Sequence, residues 1–171
     1  MKALLVIDMI NDFLDPKGAL FCGEEVRSII KPIQVKLEEF RLARSPIFYL
    51  CDQHAPDDPE FLAFPSHAVA GSWGAEIIPE LKPEPGDKII PKTRFSGFFK
   101  TPLEELLRQA GVKTVCLTGV CTSICVMDTA ADAFFRDFEV VVFKDCVGDF
   151  DKEMHAFALK RMERIYKAKI L

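Results

Sequence analysis

Residues 114–135 read TVCLTGVCTSICVMDTAADAFF. The run 114–118 is short and apolar, and Gly119 breaks it. From Thr122 to Phe135 the pattern turns helical, with Thr122 suited to the N-cap. The same alternation extends in both directions. Runs 3–7, 47–51, 88–90 and 140–143 are also unbroken apolar stretches. Such runs mark strands buried on both faces, hence a parallel sheet. Residues 165–171 are expected as a last strand. Helical patterns fill 26–43, 103–110 and 153–164, with Pro102 for the first turn of the second and Gly111 for its stop. Strands alternating with helices predict an α/β fold, a three-layer α/β/α sandwich around a mainly parallel sheet of about six strands. The 171 residues fit one domain spanning 1–171. Segment 52–86 departs from the pattern. It is long, Pro-rich and holds two of the three histidines, as functional loops do.

Composition narrows the function. Nearly half the residues (49%) are apolar, enough for a core without staples. With 22 basic and 26 acidic residues the net charge is -4, which argues against a nucleic-acid partner. No apolar stretch approaches a membrane span. The opening MKALLVIDMI lacks the longer apolar region and cleavage site of a signal peptide. Six cysteines without a C-x-x-C pair, several inside apolar runs, read as reduced thiols. A cytoplasmic location is expected.

In open α/β sheets, ligands bind beyond the carboxyl ends of the strands. Asp8 follows the first apolar run, Asp52 and His54 the second, Lys92 the third and GVCTSIC (119–125) the fourth. Cys125 would lie in the first turn of its helix. Backbone N–H groups and the positive helix end favour a thiolate there, and the same amides can receive an oxyanion. A buried structural cysteine is the competing reading. Asp8 is either a turn former or a general base. Lys92 is either solvated or a cation that favours the thiolate and keeps Asp8 ionised. Three such residues on one rim favour a site over three separate accidents. Asp52 and His54, two apart, share one side of an extended chain. With Glu60 and His67 they suit Zn²⁺ or another divalent ion, the alternative being two solvated loop histidines. His155 reads as surface or packing, and Cys22, Cys51, Cys116 and Cys146 as small buried groups. Cys121 and Cys125, four apart, lack the C-x-x-C geometry of a redox pair.

Three segments, LLVIDMINDF (4–13), PKTRFSGF (91–98) and TGVCTSICVMDTAADAF (118–134), resemble the isochorismatase-like cysteine hydrolases, in order and over nearly the whole chain. Within that family the chain looks most like the nicotinamidases, because of its D-x-H and later His. The resemblance implies Asp8, Lys92 and Cys125 as a catalytic triad. It implies a divalent metal on Asp52, His54, His67 and Glu60, with zinc first and manganese or iron as alternatives. It also implies a cis bond at Val120–Cys121 that aims the amides of Cys121 and Cys125 into an oxyanion hole. The usual motif has a small residue at 121 and Asp at 123, where this chain has Cys121 and Ser123. The expected activity is amide hydrolysis of nicotinamide through a thioester. Phe13, Phe64, Phe95 and Trp73 are expected to wall the ring. A vinyl-ether hydrolase or a ureido or carbamoyl amidase of the same family is the alternative. Relatives often self-associate, so a homo-oligomer is expected by analogy.

Overall fold

The computed structural model describes residues 1–171. Six strands form one sheet: β1 (Lys2–Ile7), β2 (Ile47–Asp52), β3 (Lys88–Lys92), β4 (Thr114–Val120), β5 (Glu139–Gly148) and β6 (Lys169–Ile170). Every pairing is parallel and the order is β3-β2-β1-β4-β5-β6. Helices α1 (Asn11–Leu14), α2 (Ile30–Leu42), α3 (Leu103–Gln109), α4 (Met127–Phe134) and α5 (Lys152–Ile165) complete the fold. None is long and apolar enough to cross a membrane.

The unbroken apolar runs are explained by period-two alternation between two cores. From β1, Ala3, Leu5 and Ile7 point to the side where Leu103 and Leu107 of α3, Ala130 and Ala133 of α4, and Ala158 and Met162 of α5 pack. Leu4 and Val6 point to the other side, onto Ile33, Leu37 and Phe40 of α2. The expected three layers are therefore present. The chain adds β2 and β3 on one side of β1, then crosses to add β4 to β6 on the other. That reversal opens a crevice above the carboxyl ends of β1 and β4, where ligands of such sheets bind.

Several boundaries differ from the sequence reading. The helical pattern at 26–43 divides into a 3-10 turn, Glu24–Ile29, and α2. Pro32 explains the break, since it has no N–H to bond back to residue 28 and is tolerated only in a first turn. Strand β3 is an edge rather than a strand buried on both faces, with Ile89 57% exposed. Pro91 fits such an edge. The last strand is only two residues, because α5 continues to Ile165 and residues 166–168 turn back onto it, with Lys167 at φ 54° and the Tyr166 and Ala168 N–H groups donating to Met162 O.

Candidate active site

Asp8 is the first residue past β1, in a left-handed conformation (φ 53°) with its N–H donating to Leu50 O at 2.8 Å. Asp52 and Lys92 are the terminal residues of β2 and β3, opposite each other in register. The sequence reading set both just after their strands. Inside the strands, their side chains are aimed by the pleat at the same side as Asp8. Lys92 Nζ lies 2.8 Å from Asp8 Oδ2, 2.5 Å from Asp52 Oδ1 and 3.6 Å from Cys125 Sγ. Asp8 Oδ1 accepts the Asp52 N–H at 2.8 Å. Acceptor atoms of Asp8 and Asp52 lie within 4.8 Å of each other and of Cys125 Sγ. All four side chains are buried.

Burial and charge set the protonation states. Burial and the neighbouring Asp52 raise the Asp8 carboxyl to about 6, against the pull of Lys92. Burial works against the Lys92 charge, but Asp8, Cys125 and Asp52 outweigh it and keep the ammonium. Burial raises Asp52 less than Lys92 and His54 lower it, so it stays a carboxylate. Burial pushes the Cys125 thiol well above its ordinary value, with Lys92 pulling it down. The resting group is therefore a thiol. Desolvation thus works against the expected thiolate, and Lys92 at 3.6 Å works for it.

The turn that carries Cys125 also differs in detail. Gly119 has φ +107°, and a Cβ there would sit 1.9 Å from Ile7 O, so only glycine fits between β4 and β1. The Val120–Cys121 peptide is cis. Thr122–Val126 is a π turn leading into α4, and Thr122 is not its cap. Thr122 is buried instead, its hydroxyl donating to Gly148 O at 2.9 Å and contacting His155 Nδ1 at 2.9 Å. His155 thus packs behind the turn. The capping role falls to Asp149, whose Oδ2 accepts the Ser123 N–H at 2.7 Å.

Beside this cluster, Asp52 Oδ2 lies 3.8 Å from His54 Nε2 and 4.0 Å from His67 Nε2. Glu60 Oε1 lies 4.0 and 3.9 Å from the same two nitrogens. The Nδ1 atoms are held outward, His54 by Asp58 Oδ2 at 3.1 Å and His67 by Pro65 O at 2.7 Å. His54 Nε2 is buried with no hydrogen-bond partner. A buried imidazole nitrogen left unpartnered, facing a second imidazole and two carboxylates, is a donor set that fits a divalent cation. The Nδ1 partners are the kind that orient metal-bound imidazoles.

The model of the isochorismatase domain matches residues 2–169. The chain belongs to the isochorismatase family. A relative in it, PncA of Bacillus subtilis, is 37% identical over 179 residues, covering 99% of this chain and 98% of its own. A crystal structure of nicotinamidase/pyrazinamidase PncA from that organism superposes with TM-score 0.94 at 35% identity, covering 99% of this chain and 98% of the other. The pyrazinamidase of Pyrococcus horikoshii, solved in complex with zinc, gives TM-score 0.93 at 33% identity over 99% and 98%. N-carbamoylsarcosine amidase from Thermoplasma acidophilum gives 0.91 at 36% over 99% and 94%.

In this isochorismatase-family protein the two clusters open onto one cavity of about 390 Å³. Asp52, Glu60, His67 and Cys125 reach it. Phe13, Phe64 and Phe95 line it, as the sequence reading expected. Trp73 does not. It begins a short 3-10 turn, is 46% exposed, and its backbone oxygen accepts from Asn11 Nδ2. Leu20, Phe21, Ile124 and Phe150 are lining residues the sequence reading missed. Missed too were Asp12 and Arg94. Asp12 Oδ1 accepts from Ala19 N at 3.0 Å and Oδ2 from Ala68 N at 2.7 Å, fixing both the 15–23 loop and the segment bearing His67. Arg94 Nη1 sits 3.1 Å from each Asp58 oxygen and 3.7 Å from Glu60 Oε2. Asp12 lies in LLVIDMINDF and Arg94 in PKTRFSGF, so both were in segments already singled out; their partners come from loops whose path only the fold reveals.

Proposed function

We propose that this protein is a cysteine amidohydrolase acting on nicotinamide, releasing nicotinic acid and ammonia. The observation that carries the reading is the buried contact of one ammonium, Lys92, with Asp8, Asp52 and Cys125, the last two of which line an aromatic cavity. The similarity to nicotinamidase/pyrazinamidase PncA supports it. So does the lining, which is mostly apolar, with Asp52 and Glu60 and no lysine or arginine. A neutral heteroaromatic amide suits such aromatic walls.

Asp8, ionised, takes the proton from Cys125 as Sγ attacks the carboxamide carbon. Because the resting thiol is held high, proton transfer accompanies attack rather than preceding it. Lys92 keeps its charge throughout and offsets the negative charge that passes between Sγ and Asp8. The amides of Cys121 and Cys125 receive the oxyanion. Asp8 returns the proton to nitrogen, the C–N bond breaks and ammonia leaves a thioester on Cys125. Asp8 then deprotonates a water that attacks the thioester, and the sulfur recovers its proton. Asp52, His54, His67 and Glu60 would hold a divalent ion, zinc by donor type, which supplies a Lewis acid to anchor and polarise the pyridine nitrogen. Phe13, Phe64 and Phe95 supply the apolar walls against which the ring packs.

The test is ammonia release from nicotinamide by the purified protein. Turnover is expected for wild type, with loss in Cys125→Ala at unchanged circular dichroism. Full turnover by Cys125→Ala removes the nucleophile from the mechanism.

A further inference from the structure

The Sγ atoms of Cys22 and Cys121 lie 3.5 Å apart although the residues are 99 positions apart in the chain. Cys22 closes the 15–23 loop, and Cys121 opens the turn that carries Cys125. Both line the cavity, Cys121 half-buried and Cys22 only 7% exposed. In the sequence Cys22 reads as a small buried group, and Cys121 pairs by spacing only with Cys125. The proposed mechanism uses the backbone of Cys121 and neither of these two thiols.

We propose that Cys22 and Cys121 form an oxidant-sensitive dithiol, which a two-electron oxidant of the peroxide class converts to a disulfide that straps the 15–23 loop to the Cys125 turn. Cys121, the more exposed sulfur, meets the oxidant first. Its sulfur takes one peroxide oxygen, the O–O bond breaks, and a sulfenic acid and one water result. Cys22 then attacks that sulfur, the S–S bond forms and the hydroxyl leaves with the Cys22 proton as a second water. In total, two thiols and hydrogen peroxide give one disulfide and two waters.

Bond formation needs the sulfurs to close by about 1.5 Å, to the usual disulfide length of about 2.05 Å. The 15–23 loop resists moving. Ala19 N–H donates to Asp12 Oδ1, Leu20 N–H to Asp12 O, and Cys22 N–H to Phe13 O. Much of the shift therefore falls on Cys121 and on the turn behind it. A displacement of about 1 Å at reacting atoms costs on the order of 100-fold in rate. The disulfide step stands on the sulfur geometry alone, while its effect on turnover rests on the amidase reading above.

The experiment oxidises the reduced full-length protein with a small excess of hydrogen peroxide. The chain is then alkylated under denaturing conditions and its peptides weighed without reduction. The expected product joins the Cys22 and Cys121 peptides, and free thiols fall from the six of the reduced chain to four. Cys125→Ala forms the same link, which separates it from any chemistry of the nucleophile. Cys22→Ser forms none, and, normalised to its own reduced rate, it loses less ammonia release than wild type. Wild-type turnover falls between about tenfold and 100-fold and returns with dithiothreitol. Oxidation confined to Cys125, or a Cys121–Cys125 link, overturns the dithiol. A complete Cys22–Cys121 link with undiminished turnover overturns the gating. Because the link is read by mass, it is decided even if nicotinamide proves not to be a substrate.

Discussion

Asp52 belongs to two clusters at once: its Oδ1 holds Lys92 Nζ at 2.5 Å, while its Oδ2 faces His54 and His67 at 3.8 and 4.0 Å. Replacing it therefore has two consequences, where replacing His67 has one. Asp52→Ala and His67→Ala are both expected to lose bound metal by elemental analysis. They part in the reactivity of Cys125. The Asp52 charge helps hold the thiol high, so its removal lets the thiol ionise more easily. In chelator, Asp52→Ala is expected to react faster with iodoacetamide at Cys125 than His67→Ala does. Equal rates would show that Asp52 has no electrostatic hold on the nucleophile.

The base sets the acid limb of the rate profile. Asp8 must be ionised to accept the thiol proton, and burial together with Asp52 raises its carboxyl to about 6. The sign follows directly: below about 6 the folded protein holds Asp8 protonated, and kcat/KM for nicotinamide falls with each step toward acid. A cation on Asp52 offsets that residue's repulsion, so loading the site moves the limb down rather than up. The expected profile is a single acid limb with an apparent pKa no higher than about 6. A limb centred near neutral pH assigns the base to another group.

Much of this arrangement is legible in the sequence, and the remainder fails for identifiable reasons. The apolar runs reveal β1, β2, β4 and β5 because strands buried on both faces need no polar alternation. The edge strand β3 hides its end, so Lys92 reads as a loop residue when it is the register partner of Asp52. The D-x-H pair shows which side chains share a side but not that Glu60 and His67 return to meet them. Local pattern suggests Thr122 as a cap, while the cap comes from Asp149, across the sheet's next crossover. At Cys125 the sequence shows the cation Lys92 but not the depth of burial that opposes it. Pairwise distances between remote segments are what sequence periodicity cannot supply.

Arg94 offers a test of the ligand scaffold that leaves every ligand in place. Its guanidinium contacts both Asp58 oxygens and Glu60 Oε2, and Asp58 in turn holds His54 Nδ1. The Glu60 N–H, His54 and Arg94 keep the Asp58 carboxyl down at about 2. Loss of such an outer partner typically weakens metal binding by about 10- to 100-fold. Arg94→Ala is expected to show that loss in competition with a chromophoric chelator, with kcat recovering at saturating metal. Arg94→Lys restores the charge but not the two-oxygen contact, and is expected to fall between. Wild-type affinity in Arg94→Ala would make the contact incidental.

The cavity walls separate two aromatic residues that the sequence treats alike. Phe64 lines the cavity edge-on to Phe95, with ring centroids 6.1 Å apart, whereas Trp73 lies outside it. Phe64 is 36% exposed, so truncating it leaves little void in the core. An aromatic contact of this kind contributes about 0.5–1.5 kcal/mol. Phe64→Ala is therefore expected to raise KM for nicotinamide by about two- to tenfold, with metal content unchanged. Trp73→Phe keeps the backbone oxygen that Asn11 uses and is expected to leave KM as it was. Steady-state kinetics on the two variants side by side decide the matter. A KM effect from Trp73 and none from Phe64 would mean that the ring of the substrate lies somewhere other than this cavity.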